Sequence, residues 1–79
     1  MSALAQAIAH ADDRKHHGNG YTLHIRLASG EELHGAVMRF DDGVAFMELW
    51  EKKSGDFHHA TQRSVFVDER HVAAVEVCW

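Results

Sequence analysis

Between Thr22 and Leu27 the side chains alternate without exception: Leu23, Ile25 and Leu27 are apolar, and Thr22, His24 and Arg26 are polar. A period of two with one apolar face is the pattern of a half-buried β-strand. Ala28, Ser29 and Gly30 interrupt it, and Gly30 can take the positive φ of a tight hairpin turn. A second extended segment then runs through Leu33, Gly35, Val37 and Phe40 to the acidic turn Asp41-Asp42-Gly43. Glycine weakens a strand, so Gly35 predicts a bulge, a corner or a close approach of backbone. Val44 to Trp50 predicts a third strand, with Phe46 and Trp50 on one side and Met47 on the other. Glu48 interrupts its apolar pattern, as suits a strand that leaves the core for a rim. Glu51 to His59 reads as a loop, because Lys52, Lys53, Ser54, Gly55 and Asp56 supply turn and solvation chemistry. Ala60 to Val67 and His71 to Trp79 predict the fourth and fifth strands.

Ahead of the sheet the spacing changes. Leu4, Ala7, Ile8 and Ala11 fall on one helical face, with Ser2 as N-cap, which predicts a helix over residues 2–17. Arg14, Lys15, His16 and His17 close it, where the helix dipole favours positive groups, and Gly18-Asn19-Gly20 ends it. Helix termination accounts for this basic cluster; phosphate binding is an added role that it admits. The whole chain, residues 1–79, reads as one small domain.

The stretch from Leu23 to Val44, L-x-I-x-L-x-x-G-x-x-L-x-G-x-V-x-x-F-D-x-x-V, resembles without a gap the first signature motif of the Sm and Sm-like proteins, which include the bacterial RNA chaperone Hfq. Val65-Phe66-Val67, a polar turn and Val72 to Val75 are similar to the closing strand pair, so the resemblance spans about Tyr21 to Val77. It implies an all-β fold: a five-stranded, strongly bent SH3-like or Sm-like open barrel over 21–79, with the N-terminal α-helix across its open end. It also implies a homo-oligomeric ring in which the fourth strand of one subunit pairs with the fifth of the next, a heterologous contact that closes on itself. Ser64, Val65, Phe66 and Val67 would form one side of that interface, and Val72, Val75 and Val77 the other. A monomer whose termini cover its edges is the alternative.

RNA binding is the function the resemblance implies, and most of its binding residues are missing. The aromatic and asparagine positions after Phe-Asp are Gly43 and Ala45. The Arg-Gly pair of the second motif is replaced by Asp68 and Glu69. Where Hfq has glutamine and an aromatic, this chain has Asp42 and Gly43, and the Tyr-Lys-His segment is absent. A ring would repeat Asp41, Asp42, Asp68 and Glu69 around its pore and repel phosphate. Twelve acidic against eight basic residues, a formal net charge of −4, reinforce this. What remains for RNA is a basic rim of Arg14, Lys15, His16, His17, Arg39, Lys52 and Lys53, with Arg63 nearby and Phe57, His58 and His59 as a stacking surface. Protonation of all eight histidines would reverse the sign of the net charge, so binding at this rim would depend on pH. RNA is the leading ligand class; a protein-interaction or scaffold ring without RNA is the alternative.

Other chemistry finds little foothold. No nucleophile elbow, phosphate loop or paired acid and base marks an enzyme. A single cysteine, Cys78, gives no disulfide framework and no cysteine-based zinc site. Adjacent histidines such as His16-His17 or His58-His59 point to opposite faces when extended, so no metal or other cofactor is expected. Met1 to Ala11 lacks the basic leading region of a signal peptide, and no apolar run approaches the ~18 residues of a membrane span. These features favour the cytoplasm.

Overall fold

A computed structural model describes residues 2–14, 20–53 and 56–79, with the side chains of 52–62 outside the description. It consists of helix α1 (Ala3–Arg14) and five strands, β1 (Thr22–Leu27), β2 (Glu32–Asp41), β3 (Val44–Lys53), β4 (Asp56–Asp68) and β5 (Val72–Cys78). A 3-10 turn, Glu69–His71, joins the last two strands. All pairings are antiparallel, and the strands form one open sheet in the order β4-β3-β2-β1-β5.

The helix begins as the sequence predicts. Ser2 Oγ accepts the Ala5 N–H at 3.0 Å, which satisfies one of the donors a helix start leaves open. Leu4, Ile8 and Ala11 are buried and lie with Leu23, Ile25, Ala45, Met47 and Val67 in the core, with Leu49 also buried nearby. Burying each of the larger side chains stabilises the fold by about 1.5–3 kcal/mol. Such a short helix has little stability of its own, so this stripe is what holds it on the sheet. The described helix ends at Arg14. The rest of the expected helix, residues 15–17, lies outside the described residues.

Two hairpins set the register. Gly30, at φ 95°, turns β1 into β2, with its N–H donated to the Leu27 carbonyl at 2.9 Å. Asp42 and Gly43 both have positive φ, 53° and 77°, the requirement of the two-residue type I′ turn, and Asp41 pairs with Val44 across it. The pairing of β2 with β3 slips one residue at Met38, a bulge that raises the local twist. As a result Leu27 and Leu33 of the first hairpin and Val65 and Val67 of β4 line one groove of about 420 Å³, although two strands separate β1 from β4 in the sheet. The sheet therefore curls.

One expectation fails. Glu51 to His59 is not a loop: β3 continues to Lys53, β4 starts at Asp56, and Glu51 pairs with His59 and Lys53 with Asp56. Hydrophobic alternation reports which face is buried. A ladder held by backbone hydrogen bonds need not show it.

Candidate functional site

Because β4 and β5 end the strand order, each has, among the described residues, an edge with no strand beside it, and these edge strands carry the expected interface residues. On β4, Phe66 is 70% exposed and Ser64 is exposed, while Val65 is half-buried and Val67 is in the core. On β5, Val75 and Val77 stand opposite Ile25 and Leu23, both fully buried. The expected interface thus divides into two sets. Val65, Val67, Val72, Val75 and Val77 pack on their own core, and Ser64 and Phe66 face outward.

The two turns that the resemblance assigns to a nucleotide pocket, at Gly43 and at Glu69, lie together. The Gly43 carbonyl accepts the Glu69 N–H at 2.9 Å, and a Cβ at Gly43 would collide with the Glu69 carboxylate. Asp68 caps the 3-10 turn, accepting the Arg70 N–H at 2.9 Å. The Arg70 guanidinium closes on the same carboxylate, with Nη2 to Oδ2 at 2.7 Å and Nε to Oδ1 at 3.1 Å. That hydrogen-bonded partner holds the Asp68 carboxyl well below the usual carboxylate range and raises Arg70. The acidic repeat expected at a pore is therefore partly compensated. Arg70 has no counterpart in the motif, but the Asp-x-Arg spacing of Asp68 and Arg70 at a strand end is itself a signal for a capped turn.

Of the expected basic rim, Arg14 is exposed at the end of α1 and Arg39 is exposed on β2. Lys52 and Lys53 continue β3, but their side chains lie outside the described residues, as do Lys15, His16 and His17 and the side chains of Phe57, His58 and His59. Arg63 lines the groove between β4 and the first hairpin.

Among the described residues two histidines meet. His24 of β1 and His34 of β2 are directly opposed, with ring centroids 5.9 Å apart. A turn centred on Ser29 makes that register readable from the sequence. His24 Nε2 lies 3.1 Å from Glu32 Oε1, and His34 Nε2 lies 3.1 Å from Thr22 Oγ1. Burial, reinforced by the charge of His24 and opposed by Glu76, lowers the His34 pKa. The Cys78 thiol at the edge of this network is pushed up by burial and by Glu76 beside it. Among the described residues no group of three or more histidine, cysteine or carboxylate side chains is arranged to hold a metal ion.

The folded chain therefore holds a proton at His34 less tightly than the unfolded chain does. Its contribution to stability is full above about pH 6.5 and is lost as pH falls through that value toward the lowered one. The urea midpoint is expected to drop between pH 7.5 and 5.5, and His34→Gln is expected to shrink the drop. An unchanged pH slope in the variant would show that His34 plays no part.

No family model matches this chain, and no curated protein or solved structure matches it at a significant level. No helix among the described residues is long and apolar enough to cross a membrane.

Proposed function

We propose that this chain is a non-enzymatic, ring-forming module of the Sm-like kind, whose curled sheet is the open barrel of that family, and that the ring serves as a protein-interaction scaffold. One observation carries the reading: the sheet ends in two unpaired edges, β4 and β5, whose inward residues are valines on both sides. When β4 of one copy pairs with β5 of the next, Val65 and Val67 continue the apolar layer of Val75 and Val77. An exposed edge strand is the feature that such pairing consumes.

RNA binding at the rim is the second reading, and exposed Arg14, leading into Lys15, His16 and His17, favours it. Against it stand the carboxylates Asp41, Asp42 and Glu69 on the turns where a uridine pocket would be. Nucleic-acid affinity rests first on neutralised phosphates, and this surface offers few cations for that.

Light scattering on the wild type and fluorescence anisotropy with mixed RNA pools test both readings. The scaffold reading expects an oligomer at micromolar concentration and RNA affinity that is weak and flat between about pH 8 and about pH 6. RNA affinity that rises as pH falls, with the rise lost on changing His16 and His17 to glutamine, would establish the rim and displace the scaffold.

A further inference from the structure

The pairing register places three residues in one row across the outer face of the sheet: Arg39 on β2 stands opposite Phe46 on β3, which stands opposite Phe66 on β4. The two phenylalanine rings have centroids 5.0 Å apart and are tilted by 40°, a separation within the range of aromatic contacts. Phe66 is 70% exposed, and Met38, the extra residue of the adjoining bulge, is 58% exposed. Buried Ala45, Met47 and Val67 lie on the opposite side of β3 and β4, so this pair adds nothing to the core.

The neighbouring rows are acidic. On one side Asp41, Val44 and Asp68 are in register, and on the other Ala36, Glu48 and Ser64. Asp68 is already engaged by Arg70, but Asp41 and Glu48 form no ion pair with a described residue. Asp42 and Glu69 extend the negative side at the adjoining turns. Arg39 is the one cation in these three rows.

We infer that this face is a docking surface for a short protein segment in which an apolar side chain is flanked by lysine or arginine. The Phe46–Phe66 pair with Met38 supplies the apolar contact, and Asp41 and Glu48 on either side attract the flanking cations. Charge selects this occupant: a nucleic acid could stack on the rings but would bring its phosphates against these carboxylates, and a second copy of this acidic chain would oppose carboxylate to carboxylate. The inference rests on the scaffold reading for its biological sense only. Edge pairing uses the backbone of β4 and leaves this face outside, so the surface exists with or without a ring.

Fluorescence anisotropy with three labelled probes tests it: a short peptide alternating lysine with leucine and tryptophan, its counterpart with glutamate in place of lysine, and oligouridylate. The lysine peptide alone is expected to bind. Phe66→Ser and Glu48→Lys should each weaken it by about tenfold or more, higher salt should weaken it further, and Glu76→Gln, on the opposite edge strand with three strands between it and Phe66, should leave it unchanged. Phe66 is exposed, so its loss spares the core, and the charge reversal at Glu48 gives an independent reading. Binding by a Val65→Lys variant that no longer assembles should persist, which separates this proposal from the ring. Preference for oligouridylate, equal binding of the two peptides, or no binding by the lysine peptide would overturn it.

Discussion

Gly35→Ala is expected to lower the melting temperature by about 12–24 °C, from a destabilisation of about 3 kcal/mol. Gly35 is buried in the middle of β2, paired with Leu23 of β1 on one side and Leu49 of β3 on the other. A Cβ there would collide with the Glu48 carbonyl oxygen and come within 2.9 Å of the Leu49 Cα and 3.0 Å of the Glu48 carbonyl carbon. These are backbone atoms of a central strand, so they cannot swing aside as the end of a flexible side chain would. Relief requires β2 and β3 to separate, which disturbs the layer of Met47, Ala45 and Leu23 beneath them. Total stability for a chain of this size is roughly 4–12 kcal/mol, so the loss is a large fraction of it. Gly20→Ala is the control, since nothing lies within 4 Å of a Cβ at that position. Circular dichroism melts of both variants decide the matter, and a Gly35→Ala protein that melts with the wild type would refute the close approach.

The same glycine illustrates what was legible from the sequence. A glycine among alternating apolar residues signals a bulge, a corner or a close contact, and the structure selects the last: the backbone of β3 lies against Gly35, while the bulge falls three residues on, at Met38. β1, both hairpin turns and the apolar stripe of α1 follow from local chemistry, because alternation, positive-φ turn residues and a capping serine act within a few residues of each other. The extension of β3 and β4 to Lys53 and Asp56 was not legible, since a polar hairpin is specified by backbone pairing and leaves no apolar signature. Nor was the division of the candidate interface. Val65 and Phe66 are adjacent and similarly apolar, yet one packs against the core and the other is largely exposed, a distinction set by the register of β4 against β3. The His24–His34 pair follows once the turn is centred on Ser29, whereas the row Arg39–Phe46–Phe66 depends on the bulge at Met38 and becomes visible only once that register is known.

That difference between Val65 and Phe66 sharpens the expectation for assembly. Val65→Lys is expected to convert the proposed ring to monomers, because Val65 lies on the inward side of β4, where the proposed pairing would bury it beside the valines of the next subunit's β5. A lysine held there without a partner costs about 3–5 kcal/mol, which weakens each contact by more than about a hundredfold. Within one isolated chain the cost is smaller. Val65 is only half-buried and borders the open groove, so the lysine can extend its ammonium to water while its methylenes cover the apolar floor. The variant should therefore stay folded and lose only its neighbours. A charge at Phe66 should act more weakly on assembly, since that side chain is 70% exposed on the outer face and need not be enclosed when the edges pair. Light scattering at micromolar concentration, with circular dichroism to establish folding, reads both effects. A wild type that is already monomeric would end the ring proposal, whereas a Val65→Lys protein that remains oligomeric would place the interface somewhere other than the β4 edge.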